Sequence, residues 1–192
     1  MRVIGGSARG RRLATPKGAR VRPTADRVKE ALFSILASHL GSFTGLRVLD
    51  VCAGSGNLGI EALSRGCSEA LFIDNHRESA DTIRQNLLQL GLSERGQVVI
   101  KEATNALTGL ARHSEPFHLV FMDPPYRLGL AESILKHLES SPLITEETVI
   151  VAESAVEEDL PGEIGSLTRF DRRIYGDTAL SFFQKGEPAD HA

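Results

Sequence analysis

The sequence is poor in the residues that build disulfide frameworks and metal sites. Its 192 residues include two cysteines, Cys52 and Cys67, without CxxC spacing. We therefore expect both thiols to be reduced and structural. The six histidines are scattered and form no HExxH pattern, so the sequence predicts no metal site.

Long apolar runs are also missing. No segment approaches the roughly 20 apolar residues of a membrane-spanning helix, and the arginine-rich N-terminal region lacks the apolar middle of a secretory signal. These absences predict a cytoplasmic protein. No internal repeat, low-complexity block or long linker interrupts the chain, and its length suits one domain with a small appendage.

The net charge of -3 conceals a strong asymmetry. Residues 1–29 carry nine Lys and Arg side chains against one acid, Asp26, so this segment is +8 and the remainder is -11. Such segregation favours contact with a polyanion, nucleic acid above all, although a solvated basic tail would have the same composition. We predict a basic hairpin arm at residues 1–23, a main domain at residues 24–186 and a flexible tail at residues 187–192. The predicted contacts to nucleic acid are Arg9, Arg11, Arg12, Arg22 and Arg27.

After the arm, apolar strand-like segments alternate with segments of helical period. This alternation is typical of βα units around a mostly parallel sheet. The predicted strands are residues 46–51, 70–74, 97–101, 117–122 and 148–153, and the predicted helices are residues 58–65, 78–90 and 130–138. A further helix is predicted after a cap at Thr24.

Two closely spaced segment pairs predict hairpins. Residues 167–175 and 178–184 flank Gly176-Asp177, which leaves no room for a crossover helix, so they should pair antiparallel. Residues 2–5 and 10–14 should form a shorter hairpin in the arm. The sheet is therefore expected to end with a reversed strand.

The most informative motif is Asp123-Pro124-Pro125-Tyr126, which follows an apolar strand. Prolines cannot donate to a strand ladder, so the strand must stop there and present Asp123 and Tyr126 at its carboxyl end, where open α/β sheets bind ligands. An amino-bearing ring could stack on Tyr126 while its NH2 donates to the Asp123 carboxylate and the Pro124 carbonyl. A rigid turn with a surface tyrosine is the alternative interpretation.

The first predicted strand leads into Gly54, Gly56 and Gly59, which spell GxGxxG at the start of a helix. Asp74 ends the next strand twenty positions after Gly54, where a ribose would be bound, so the pattern also fits an NAD-dependent oxidoreductase. Asp50 lies close to the loop and would repel a pyrophosphate, whereas it would attract the ammonium and sulfonium of S-adenosylmethionine. The charge pattern therefore favours the methyl donor, although Asp50 could be a structural acid and Asp74 could cap the following helix.

The loop after the third predicted strand is where an adenine edge would be read. Backbone groups at Ala103 and Thr104 could do so, and a plain loop with a helix cap at Thr104 is an equal alternative. The complete set of predicted cofactor-binding residues is Asp50, Ala53, Gly54, Ser55, Gly56, Asp74, Asn75, Ala103 and Thr104.

With these motifs in this order, the chain resembles class I S-adenosylmethionine-dependent methyltransferases. More narrowly, it is similar to the RsmD-like family of bacterial 16S ribosomal RNA guanine-N2 methyltransferases, through residues 2–6, 10–13, 22–33, 48–66 and 123–126. The resemblance implies a Rossmann-like α/β fold whose seven-stranded, mostly parallel sheet has an antiparallel last strand and helices on both faces. It also implies a monomeric cytoplasmic enzyme that acts on 16S ribosomal RNA or the small ribosomal subunit.

The chain departs from the family pattern at two points. Asn57 stands where a small residue is common, and the loop after the third strand lacks the acid that many methyltransferases use for the adenine amine.

The residues predicted to act in catalysis are Asp123, as the proton acceptor, with Pro124, Pro125 and Tyr126. Three other functions fit part of the pattern: a DNA adenine N6-methyltransferase, an NAD-dependent oxidoreductase and a non-enzymatic RNA-binding module. The oxidoreductase leaves the Asp-Pro-Pro-Tyr turn unexplained, and the binding module leaves the order of acids and glycines unexplained.

Overall fold

A computed structural model describes residues 1–16, 26–125 and 129–186 of the chain. The strands are β1 (Arg47–Val51), β2 (Glu69–Asp74), β3 (Gly96–Ile100), β4 (Phe117–Met122), β5 (Ile144–Ala155), β6 (Glu163–Ile164), β7 (Leu167–Tyr175) and β8 (Thr178–Lys185). The α-helices are α1 (Asp26–Leu40), α2 (Asn57–Ser64), α3 (Arg77–Leu90), α4 (Ala103–Leu110) and α5 (Leu130–Glu139). Within the described ranges, none of these helices is long and apolar enough to cross a membrane.

The alternation of side chains along the strands explains why the sheet forms the middle layer. In β4, Leu119 and Phe121 pack with α1, α2 and α3 on one face, while Val120 and Met122 pack with α4 and α5 on the other. All four side chains are fully buried, as expected for a parallel strand that is covered on both faces.

The strand order places a ligand-binding edge next to β1. The order is β3-β2-β1-β4-β5-β8-β7-β6, in which β1 to β5 are parallel and β8 is antiparallel to both β5 and β7. The order reverses between β1 and β4, and the helices that follow these two strands lie on opposite faces. A crevice therefore opens at their carboxyl ends.

The predicted fold class is confirmed, with two differences of detail. The described sheet has eight strands instead of seven, because the two-residue β6 pairs with the start of β7. The predicted ends of strands and helices agree to within one residue, except for the longer β5, and the predicted C-terminal hairpin is present as β7 and β8.

Helix α4 was not predicted, and its cap is not Thr104. The Glu102 side chain accepts hydrogen bonds from the backbone N–H groups of Thr104 and Asn105, both at 3.0 Å, which satisfies donors of the first turn. A glutamate at this position is a weak cap signal, so the sequence alone did not mark the start of the helix. The predicted cap at Thr24 lies outside the described residues.

The N-terminal segment forms a tight hairpin that is docked on α2. Arg2 and Arg12 form an antiparallel bridge, and Val3 and Leu13 are buried against the body. Ala8 N–H donates to Ser64 Oγ at 2.9 Å. The predicted hairpin is therefore present, and its described part is a packed element of the fold.

A buried ion pair joins the hairpin to α1 and α2. Lys29 Nζ lies 3.1 Å from Glu61 Oε2, and both side chains are almost fully buried. The Glu61 carboxylate also accepts hydrogen bonds from Ile4 N–H, Gly5 N–H and Arg65 Nε at 2.8 to 2.9 Å. Burial lowers the pKa of Lys29, and the charge of Glu61 opposes that effect. The pair is thus compensated by a dense set of hydrogen bonds, as a buried charge requires.

We expect Lys29→Met to lower the free energy of unfolding by about 3–5 kcal/mol, because it leaves the buried Glu61 without one of its cations. Urea unfolding near pH 7 measures the change. Lys136→Met is the matched control, since Lys136 forms an exposed ion pair with Glu132 and should contribute no more than about 1 kcal/mol. Equal losses in the two variants would contradict the structural role assigned to Lys29.

Candidate active site

A cleft of 590 Å³ opens at the carboxyl ends of the central parallel strands. The turn after β1, the acid at the end of β2, the start of α4 and the turn after β4 all contribute to its wall. The predicted site residues that line it are Asp50, Ala53, Gly54, Ser55, Asp74, Asn75, Ala103, Asp123, Pro124 and Pro125. Gly56 and Thr104 lie beside this lining, and Tyr126 falls outside the described residues.

Glycines allow the loop after β1 to turn directly into α2. Gly56 is the N-cap of α2 and has a φ of 76°, a backbone conformation that costs other residues free energy. At Gly59 a Cβ atom would lie 2.4 Å from the Phe72 ring and 3.0 Å from Asp50 Oδ2. The third glycine of the motif is therefore required for close packing of α2 on the sheet.

Asp50 combines a structural bond with a position in the cleft. Its Oδ2 atom accepts a hydrogen bond from Gly59 N–H at 2.9 Å, which ties β1 to the first turn of α2. Burial raises the pKa of Asp50 to about 7, and the charge of Asp74 adds to this effect. The predicted alternative of a structural acid is thus true of Asp50, and the residue also lines the cleft.

Asp74 holds the glycine loop and the start of α3 together. One carboxylate oxygen accepts from Gly54 N–H at 2.8 Å, and the other accepts from His76 N–H at 2.9 Å. His76 is the N-cap of α3 and makes no cap bond with its own side chain. Each oxygen of Asp74 retains a second lone pair for a ligand hydroxyl.

The turn after β4 lies beside the glycine loop because β4 pairs with β1. Asp123 N–H donates to Val51 O at 3.3 Å, so the first residue of the turn continues the ladder before the prolines end it. Asp123 is exposed at the cleft. Partial desolvation of its carboxyl group, with the negative charges of Glu153 and Asp50, raises its pKa well above the ordinary value.

Glu153 is the acid that the sequence did not predict. It lies in β5, is buried and lines the cleft close enough for its charge to affect Asp123. In the sequence it directly follows a continuous apolar run, residues 149–152, and no motif marks it as a site residue. Pairing of β5 with β4 brings it to Asp123.

Glu102, in the loop after β3, has a structural role as the N-cap of α4. It lines the cleft next to Ala103, together with Lys101. Its hydrogen bonds to Thr104 and Asn105 lower its pKa, so its carboxylate is committed to capping α4. Ala103 and Thr104 are the first two residues of α4, and their contact with an adenine edge stays a prediction.

The predicted basic contacts lie outside the cleft. Arg9, Arg11, Arg12 and Arg27 are exposed, whereas Arg22 lies outside the described residues. Asp26, the one acid of residues 1–29, forms an ion pair with Arg2 at 2.6 Å. Arg11 donates to Gln89 O of α3 at 2.7 Å.

The lining of the cleft has a clear excess of acids. Five carboxylate side chains face it: Asp50, Asp74, Glu102, Asp123 and Glu153. Among the described lining residues, Lys101 is the only lysine or arginine. In the described part of the chain, no group of three or more His, Cys, Asp or Glu side chains could hold a metal ion. The cleft is thus suited to an organic cation and unsuited to a pyrophosphate.

The strand order, the glycine loop and the acids at the ends of β1, β2 and β4 define a Rossmann-like class I methyltransferase. The chain belongs to the family described as "Conserved hypothetical protein 95", which matches residues 1–184.

Individual relatives are similar over nearly the whole chain. The Bacillus subtilis protein YlbH is 38% identical over 185 residues, covering 96% of this chain and 99% of YlbH. Ribosomal RNA small subunit methyltransferase D of Escherichia coli K12 is 37% identical over 185 residues, covering 96% and 90%. The solved structure of yhhF from Escherichia coli superposes with a TM-score of 0.84 at 36% identity, covering 98% of this chain and 99% of that one.

The raised pKa of Asp50 predicts a pH-dependent cost to stability. Its folded pKa of about 7 exceeds the ordinary value of 3.8, so the favourable protonated form is lost as pH rises through 7. Asp50→Asn keeps an oxygen for Gly59 N–H without the charge. We expect the free energy of unfolding of this variant, relative to the native protein, to rise by about 4 kcal/mol between about pH 4 and pH 8.

Urea unfolding at a series of pH values measures this difference. Asp81→Asn is the control, because Asp81 is exposed on α3 and pairs with Arg84. A difference for Asp50→Asn that stays constant across the pH range would refute the assigned pKa.

Proposed function

We propose that this protein transfers a methyl group from S-adenosylmethionine to the exocyclic N2 amine of a guanine in 16S ribosomal RNA. The observation that carries the proposal is the meeting, in one cleft, of the glycine loop with Asp50 and Asp74 on one side and Asp123-Pro124 on the other. The relationship to the Escherichia coli small subunit methyltransferase D supports the choice of ribosomal RNA.

The cleft fits the proposed donor in size and charge. Its volume of 590 Å³ lies in the range of sites for small molecules and cofactors. Ionised Asp50 would favour the ammonium and sulfonium groups, Asp74 would accept the ribose hydroxyls, and Ala103 with Thr104 would contact the adenine. When bound, S-adenosylmethionine supplies an electrophilic methyl group on a positively charged sulfur.

The turn after β4 supplies acceptors for an aromatic amine. The N2 lone pair of guanine is delocalised into the ring, so the enzyme must hold this nitrogen towards tetrahedral geometry. The Asp123 carboxylate and the Pro124 carbonyl can accept its two hydrogens, while Pro125 keeps the turn rigid and Tyr126 offers a stacking surface.

The environment of Asp123 suits a proton acceptor. Partial desolvation in the cleft and the charge of Glu153 raise its pKa, which makes its carboxylate a stronger base than an ordinary aspartate. A cation bound in the cleft would favour the ionised form of Asp123. The carboxylate is therefore available as a base when the cationic donor is present.

The basic arm is proposed as the RNA contact. Arg9, Arg11, Arg12 and Arg27 are exposed, and the hairpin that carries three of them is docked on α2, the helix that begins at the glycine loop. A target base must leave its stack to enter the cleft, and phosphate contacts can offset that cost. On this proposal the enzyme acts in the cytoplasm, and its monomeric state remains a prediction.

We expect Asp123→Ala to abolish methyl transfer while donor binding remains. The measurement is transfer of tritium-labelled methyl groups to small-subunit RNA, with calorimetry for the donor and mass spectrometry to identify N2-methylguanosine. Asp81→Ala on α3 is the control and should retain native turnover. Unchanged turnover of Asp123→Ala would refute its role, and methylated adenine in DNA as the product would favour the alternative function.

Reversing two arginines of the arm should weaken RNA binding and reduce its salt dependence. For Arg11→Glu with Arg12→Glu, the slope of log K against log salt should fall by about 1–2, because two phosphate contacts are lost. The control reverses Arg112 and Lys136, which are exposed on the α4 and α5 side. Equal slopes in the two double variants would eliminate the arm as the binding surface.

A further inference from the structure

The buried ammonium of Lys29 determines how the Asn57 side chain is oriented. Lys29 Nζ donates to Arg2 O at 2.6 Å and to Asn57 Oδ1 at 2.7 Å, and its third contact is Glu61 Oε2 at 3.1 Å. An ammonium group has three donors and no acceptor. The oxygen of the Asn57 amide, and not its NH2 group, must therefore face Lys29.

The NH2 group of Asn57 is consequently left to donate elsewhere. Asn57 is only 7% exposed, and it lines the cleft. In residues 1–16, 26–125 and 129–186, the hydrogen bond recorded for its side chain is the one to Lys29. A largely buried amide whose free NH2 group opens to the cleft is placed to donate to a ligand acceptor there.

A second set of donors lies at the same place. Asn57 is the first residue of α2, and Leu58 follows it in the cleft lining. The first N–H groups of a helix have no intrahelical acceptor, and the helix dipole favours negative charge there. The Lys29 ammonium, which is paired with Glu61, lies directly behind the amide and polarises it.

We propose that Asn57 and the start of α2 form the subsite for the carboxylate of the methyl donor, with Lys29 as the residue that orients Asn57. This inference rests on the proposed donor, whose only anionic group is that carboxylate. The acids elsewhere in the cleft would repel it, whereas the NH2 group of Asn57 and the N–H groups at the start of α2 attract it. The asparagine that departs from the family pattern thus has a binding role.

Decarboxylated S-adenosylmethionine tests the subsite, because it lacks only the carboxylate. Calorimetry compares its affinity with that of S-adenosylmethionine for the native protein, Asn57→Ala and Asn57→Asp. We expect Asn57→Ala to lower the affinity for S-adenosylmethionine at least tenfold, because a hydrogen bond to a charged group is lost. The affinity for the decarboxylated donor should change less than about twofold.

Asn57→Asp provides the stricter variant. It keeps an oxygen for Lys29, so the contact that supports the fold remains, but it replaces the NH2 donor by a second carboxylate oxygen. It should lower the affinity for S-adenosylmethionine more than Asn57→Ala does, and it should not lower the affinity for the decarboxylated donor. Gln85→Ala, at an exposed position of α3, should leave both affinities unchanged.

The possible failures can be told apart. Equal effects of each Asn57 variant on the two donors, or no effect on either, would overturn the carboxylate subsite and leave the proposed function standing. If the native protein binds neither donor, both the proposed function and the subsite are refuted.

Discussion

The buried pair of Lys29 and Glu61 is the contact on which the arrangement of the site depends. Two charges that are fully removed from water would be unstable without full compensation, and here Lys29 has three acceptors while Glu61 has four donors. These partners come from the N-terminal hairpin, α1 and α2. The requirement to satisfy both charges therefore fixes three separate chain segments relative to one another.

Fixing α2 has a direct effect on the cleft. The helix begins at Gly56, its amide at Gly59 is bound by Asp50, and its first side chain is held by Lys29. The glycine loop is thus anchored from the sheet on one side and from α1 on the other. The same pair holds the basic hairpin on α2, so the proposed RNA contacts and the proposed donor site share one rigid support.

The acids of the cleft are a second constraint, and the parallel sheet creates it. Neighbouring strands β2, β1, β4 and β5 place Asp74, Asp50, Asp123 and Glu153 at one edge. Desolvation, and after it the negative charges of neighbouring acids, raise the pKa values of Asp50 and Asp123. A cationic ligand relieves this repulsion, so the feature that destabilises the unliganded cleft is the one that favours a positively charged methyl donor.

Local patterns were sufficient for much of the site. Gly54, Gly56 and Gly59 act through backbone conformation and close packing. The strand ends at Asp123-Pro124-Pro125 because proline has no backbone N–H to donate to a neighbouring strand. Asp74 was expected to bind ribose and was also a candidate cap for α3; the N-cap is His76, and Asp74 instead accepts a hydrogen bond from the N–H of that residue. Glu102 and Glu153 carry no local motif, because a lone glutamate after a strand or within one has many common roles.

The sequence by itself determined the layers of this protein, since the period of its apolar residues distinguishes strands from helices and its short turns decide which strands reverse. It also determined the positions of the glycine loop and the Asp-Pro-Pro turn. Only the tertiary structure decided that Lys29 meets Glu61 and Asn57, and that Glu153 acts on Asp123. The members of each pair lie about thirty residues apart in the chain. Their interaction depends on strand order and on the exclusion of water, and neither can be predicted from a local sequence pattern.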